Sequence, residues 1–143
     1  MLAYKELQGI LDRTIEWERD FNDLLDVAAL GLKNDQSKKI VSELKKRQDD
    51  IIEVITGIDV NNFGPAEWVK FSSDLKREEL IPKKNITRQT PPDEIIAYVR
   101  EYEEALKSVY QRVADRLHSE GQRDLFLSLV KLKDSQIERL SGF

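Results

Sequence analysis

Cysteine is absent from the 143 residues, and histidine and methionine occur once each. Without thiols the chain has no disulfides, no thiolate metal sites and no cysteine nucleophile. No serine has a histidine partner that the sequence identifies, which removes the usual hydrolase arrangement. Glycine is sparse and scattered: Gly31, Gly57, Gly64, Gly121 and Gly142 are isolated punctuation and Gly9 is a lone glycine in a helical stretch, so no glycine-rich phosphate loop exists. No apolar run approaches the roughly 20 residues needed to span a bilayer. The opening stretch MLAYKELQGILDRTIEWERD is charged and amphipathic, unlike a signal peptide, so a soluble cytoplasmic protein without membrane contact is expected. With 23 basic against 27 acidic residues and a net charge of −4, the chain lacks the electrostatic footprint of a nucleic-acid binder. Its one basic patch, Lys83-Lys84 with Arg88, is short.

What is present is helical periodicity. Apolar residues recur at three- and four-residue steps over four segments, predicting helices near 4–33, 36–56, 93–117 and 120–141. Asn34 or Asp35 caps the second helix and Gly57 stops it, Thr90-Pro91-Pro92-Asp93 reads as a capping box for the third, and Ser119 with Gln122 repeats that logic for the fourth. Residues 58–91 break the period. They are predicted to hold one short helix from Pro65 to Leu80, with Phe63, Trp68, Val69, Phe71, Leu75, Leu80 and Ile81 as surface to pack. The expected architecture is a single all-α domain over 1–143: a hairpin at 4–57, a crossover at 58–91 and a hairpin at 92–141.

The two hairpins match at a constant offset of 85 residues without a gap. Asn34 falls on Ser119, so the caps coincide, and apolar positions pair, among them Phe21 with Leu106, Leu25 with Tyr110, Ile40 with Leu125, Leu44 with Leu129 and Ile55 with Leu140. The polar intruders in the apolar stripes coincide as well: Glu18 falls on Glu103 and Gln48 on Lys133. At about 1.5 Å per residue these four lie at nearly one height from the hairpin turns, so two carboxylates, an amide and an ammonium are expected in one core layer. Tyr110 stands close enough along the same stripe to join them. Trp17 and Tyr102, equivalent across the repeat, read as edge-of-core or interface aromatics. Trp68 and Phe71 are expected to pin the crossover or, where exposed, to offer a partner site.

This pattern resembles the ferritin-like superfamily, and its small rubrerythrin-like members most closely. The resemblance implies a four-helix bundle of two hairpins with a long connection, in which a two-metal site takes one Glu from each of two helices and Glu-x-x-His from each of the others. Glu18 and Glu103 match the single glutamates. Where the two Glu-x-x-His motifs belong, the chain reads Gln48-Asp49-Asp50-Ile51 and Lys133-Asp134-Ser135-Gln136. The vestigial positions are therefore Glu18, Gln48, Ile51, Glu103, Lys133 and Gln136, too poor in anionic and imidazole ligands for iron or manganese.

No catalytic residue, metal or cofactor is expected from this set. The first reading is a non-enzymatic, metal-free bundle acting through protein association, as a homodimer or with an unidentified protein partner; the dimer is an implication of the resemblance. A second reading is a metal-binding or oxidoreductase protein using Glu18 and Glu103, and a third is a small-molecule carrier using space left by the missing metal.

Overall fold

The computed structural model describes residues 2–65, 68–72, 80–82 and 85–143. Expectations resting on Leu75, Lys83, Lys84 and the side chain of Phe71 lie outside the described residues. The chain is mostly helical. Four long helices, α1 (Leu7–Gly31), α2 (Asp35–Thr56), α3 (Pro92–Ala114) and α4 (Glu120–Arg139), enclose one apolar core. Two turns of chain chemistry set the hairpins. Asn34 accepts the Ser37 backbone N–H at 3.1 Å at the head of α2, and Ser119 accepts that of Gln122 at 3.5 Å at the head of α4.

Side-chain contacts fix the helix directions. Asn22 Nδ2 donates to Asp49 Oδ1 at 2.5 Å, placing α1 antiparallel to α2. Phe21 stacks on Tyr102 with ring centroids 3.7 Å apart, while the Tyr110 hydroxyl donates to Thr14 Oγ1 at 3.3 Å, so α1 is antiparallel to α3 as well. Lys107 pairs with Asp134, and Tyr110 meets Phe126 edge-on at 6.2 Å, which sets α3 against α4. Consequently α2 and α3 run parallel, and the chain between them must travel back along about 33 Å of helix.

Both ends of that return are pegged by side chains 85 residues apart in the repeat. Ser37 Oγ donates to Thr90 O at 2.8 Å. Gln122, fully buried, sends its amide to the carbonyls of Val60, Gly64 and Pro65 at 3.2, 3.2 and 2.9 Å. The approach there is tight: a Cβ on Gly121 would sit 2.1 Å from the Phe63 carbonyl oxygen.

Several local expectations are corrected. The predicted start of the first helix near residue 4 is replaced by a strand, β1 (Leu2–Glu6), paired antiparallel with β2 (Trp68–Ser72) in the register Tyr4↔Lys70. Residues 68–72 thus contradict a helix from Pro65 to Leu80; Trp68, Val69 and Phe71 are aromatic and β-branched residues, the types that favour strands. In β2 it is Val69, buried, that anchors the crossover, whereas Trp68 is 63 % exposed. No side chain caps α3. Thr90 Oγ1 instead accepts the Thr87 N–H at 2.7 Å, and α3 begins with Pro92 in its first turn. That helix also ends at Ala114, short of Leu117.

Gly121→Ala is expected to destabilise the fold by about 1–3 kcal/mol because backbone must move to admit the methyl group. Gly9→Ala, on an exposed helical position with nothing within 4 Å of the new Cβ, is expected to stabilise it by about 0.5–1 kcal/mol. Urea denaturation of the two variants checks the opposite signs.

Candidate functional site

Each of the four helices contributes one polar side chain to a layer at mid-height of the core. Glu18 comes from α1, Gln48 from α2, Glu103 from α3 and Lys133 from α4, and all four are buried. They occupy positions on otherwise apolar stripes, so the same periodicity that buries Phe21, Leu44, Leu106 and Leu129 carries them inward.

The layer is closely joined. Lys133 Nζ forms ion pairs with Glu18 and, at 2.9 Å, with Glu103. Gln48 Nε2 donates to the other oxygen of Glu18, and Gln136 Nε2 donates to Gln48 Oε1 at 3.4 Å. Lys133 is only 1 % exposed, so water does not screen these pairs. Burial opposes its charge, but the carboxylates of Glu103 and Glu18 outweigh that and raise the ammonium above its ordinary pKa.

Two carboxylates against one ammonium leave a surplus acid. Glu18 has the Gln48 amide in addition to Lys133, whereas Glu103 relies on Lys133. Burial pushes the Glu103 carboxyl up from 4.5 to about 7, with Lys133 opposing the shift and the Glu18 charge adding to it. The Glu103 carboxyl is therefore protonated in mildly acidic solution and gives up its proton as pH rises through about 7.

Tyr110 does not join the glutamates as expected: its hydroxyl turns to Thr14, whose own Oγ1 donates to Leu11 O at 2.7 Å. Burial raises its pKa, and the neighbouring Glu18 charge adds to that. Trp17 and Tyr102 are not surface aromatics. Both are buried in the chain's own core, Tyr102 under Phe21, and its hydroxyl is buried with no hydrogen-bond partner among the described residues. Of the three expected interface aromatics whose side chains are described, Trp17, Tyr102 and Trp68, only Trp68 is exposed. Gln136, expected only as a vestigial metal position, joins the hydrogen-bonded set through Gln48, and Thr14, a polar residue on the inward stripe of α1, is the partner of Tyr110.

A divalent metal pair does not fit these residues. The ammonium of Lys133 lies against both glutamates, where a cation would have to bind them, and the α2 and α4 positions supply Gln48, Ile51 and Gln136 as neutral groups. Among the described residues no group of three or more His, Cys, Asp or Glu side chains is arranged to hold a metal ion. The contacts within the layer are charge neutralisation and hydrogen bonding.

Lys133→Met retains length but leaves two buried carboxylates without their cation, and is expected to cost about 3–5 kcal/mol in urea unfolding; an unchanged midpoint would show that the ion pairs contribute nothing. The pH response has a definite sign. The Glu103 pKa is raised on folding, so its contribution to stability is fully present below about pH 4.5 and lost as pH rises through about 7. That loss is on the order of 3 kcal/mol. Glu103→Gln should flatten the wild-type decline between those limits, measured as the unfolding midpoint against pH.

Comparison with known proteins returns no match: no family model fits the chain, and no curated protein or solved structure is significantly similar to it.

Proposed function

We propose that the chain is a non-catalytic, metal-free protein of the ferritin-like superfamily whose core layer is locked by its own cation and which works through protein association. The observation that carries the reading is the Lys133 ammonium between Glu18 and Glu103. It supports a metal-free bundle because the cation occupies the place where metal would be bound, and it supports a non-catalytic one because the layer is buried on all four helices. The two antiparallel hairpins and the return between parallel α2 and α3 agree with the ferritin-like arrangement. No helix among the described residues is long and apolar enough to cross a membrane.

Association is assigned to the outer face of α1. Leu24, Val27 and Leu30 stand at three-residue steps there, with Val27 67 % and Leu30 88 % exposed, beside a shallow apolar groove formed with Ile86 and Tyr98. A row of large exposed side chains on one face is an association surface more readily than a solvated one. The occupant that fits is a second copy. Two α1 helices crossing antiparallel at Val27 bring Lys33 of each copy towards Asp23 of the other, so apolar contact is flanked by opposite charges.

Light scattering coupled to size exclusion is expected to give the mass of a dimer, and Val27→Lys with Leu30→Lys the mass of a monomer with an unchanged helical spectrum. Elemental analysis of the same protein, purified without chelator, is expected to find far less than one iron, manganese or zinc ion per chain. A monomeric wild type would remove the homodimer, and stoichiometric metal would remove the metal-free reading.

A further inference from the structure

Beside the charged layer lies a cavity of about 110 Å³ reached from the seam between α2 and α4. Its walls are mainly apolar, formed by Phe21, Leu25, Leu44, Val99 and Leu140 from all sides of the core. For scale, an apolar cavity of about 150 Å³ takes one benzene ring. This cavity is smaller but open at the seam, so a single ring would fill it completely and extend into the mouth.

The two ends of the cavity differ. Part of its wall is the polar layer, through the buried Gln48 and Glu103, joined by the half-buried Gln136. Gln136 spends its amide N–H on Gln48, while its Oε1 is buried with no hydrogen-bond partner among the described residues. An unmet buried acceptor in a cavity wall calls for a donor on whatever fills the cavity. The mouth carries two guanidinium groups, Arg47 and Arg139, and one carboxylate, Asp50. Arg47 is held at 3.3 Å by Glu43 with its guanidinium 4.7 Å from the Phe143 ring centroid, a placement that keeps it at the opening. Arg139, exposed, has no ion pair or side-chain hydrogen bond among the described residues. With Glu43 already pairing Arg47 and Asp50 alongside, Arg139 is the guanidinium left to take up an anionic group, with the remaining N–H groups of Arg47 beside it, the geometry in which guanidinium recognises carboxylate.

We propose that this cavity binds a small aromatic carboxylate, its ring among the apolar walls, its acid group at Arg139 and Arg47, and a hydroxyl at the far end meeting Gln136. The inference goes beyond the association reading and does not depend on the chain being a dimer. A merely hydrated cavity is the competing occupant, with room for three or four waters at about 30 Å³ each.

The test is calorimetric titration of the purified protein with 4-hydroxybenzoate, benzoate and phenol. Saturable binding of 4-hydroxybenzoate is expected, with benzoate and phenol each weaker by about tenfold, the loss of one good polar contact. Arg139→Glu, a change at an exposed position, should weaken the acid by more than tenfold and leave phenol unaffected. Val99→Phe, filling the cavity, should abolish binding of all three, with the melting curve reporting that the fold is intact; Leu44→Phe repeats this test from the opposite wall. Phenol binding as tightly as the acid would overturn the carboxylate assignment while leaving an apolar ligand site. Failure of all three compounds at millimolar concentration, or binding untouched by both Arg139→Glu and the filling variants, would overturn the site altogether.

Discussion

A single ammonium between two buried carboxylates fixes how the four helices stand along one another. Apolar stripes attract but specify axial position weakly, because one well-sized aliphatic contact can replace another when a helix slides by a turn of about 5.4 Å. Charges withdrawn from water have no such freedom. Displacing α4 by one turn would strand Lys133 away from Glu18 and Glu103, leaving three ionisable groups in the core without partners. Since Glu18, Gln48, Glu103 and Lys133 come one from each helix, the layer sets a common register for all four. Its net contribution to stability is modest compared with its contribution to uniqueness, as buried ion pairs generally repay little beyond their desolvation.

The parallel course of α2 and α3 follows from that register and imposes the next constraint. A chain leaving α2 at Thr56 has to return the length of the helices before α3 begins at Pro92. Such a segment gains by being fastened, because its backbone groups would otherwise compete for water along a buried face. Gln122 fastens its beginning through three carbonyls and Ser37 its end through one, each from the first turn of the second helix of a hairpin. The two-stranded ribbon of β1 and β2 holds the middle, with Val69 turned into the core. The hairpin turns therefore serve twice, once by capping helices and once by gripping the connection.

How far this was legible in the sequence depends on which physical rule operates. Helix boundaries governed by local hydrogen bonding, at Asn34 and Ser119, could be read directly, and so could the coincidence of polar intruders, because an internal repeat carries positional information that one helix does not. The ribbon could not. Leu2–Glu6 is made of residues that favour helices, and only pairing with a partner 66 positions away, Tyr4 with Lys70, makes it a strand. Thr90 looked like a cap because its spacing fits one, but its hydroxyl is taken by Thr87 in a tighter local turn. The burial of Trp17 and Tyr102 was hidden for a different reason: size and amphipathicity suggest a half-exposed ring, while stacking against Phe21 settles Tyr102 fully inside. Cavities are least legible of all, since periodicity reports which side chains turn inward and nothing about the volume they leave between them.

The charged layer and the cavity share a wall, and that juxtaposition bears on both. On the ferritin-like reading, six inward positions would have been devoted to metal. Lys133 pairs with Glu18 and Glu103, and Glu103 with Gln48, Ile51 and Gln136 lines the cavity. Removing an ion and its ligands from a close-packed interior must leave either new side-chain volume or empty space. The long side chain of Lys133 accounts for one part of that volume and reaches its partners from α4, but it supplies nothing on the side facing Gln136. An apolar void there would be filled cheaply by a larger aliphatic residue at Val99. Retaining two amides and a readily protonated acid beside a mouth with two guanidinium groups instead gives the space a polarity gradient from Glu103 to Arg139, which is the property of a binding site and not of a packing fault.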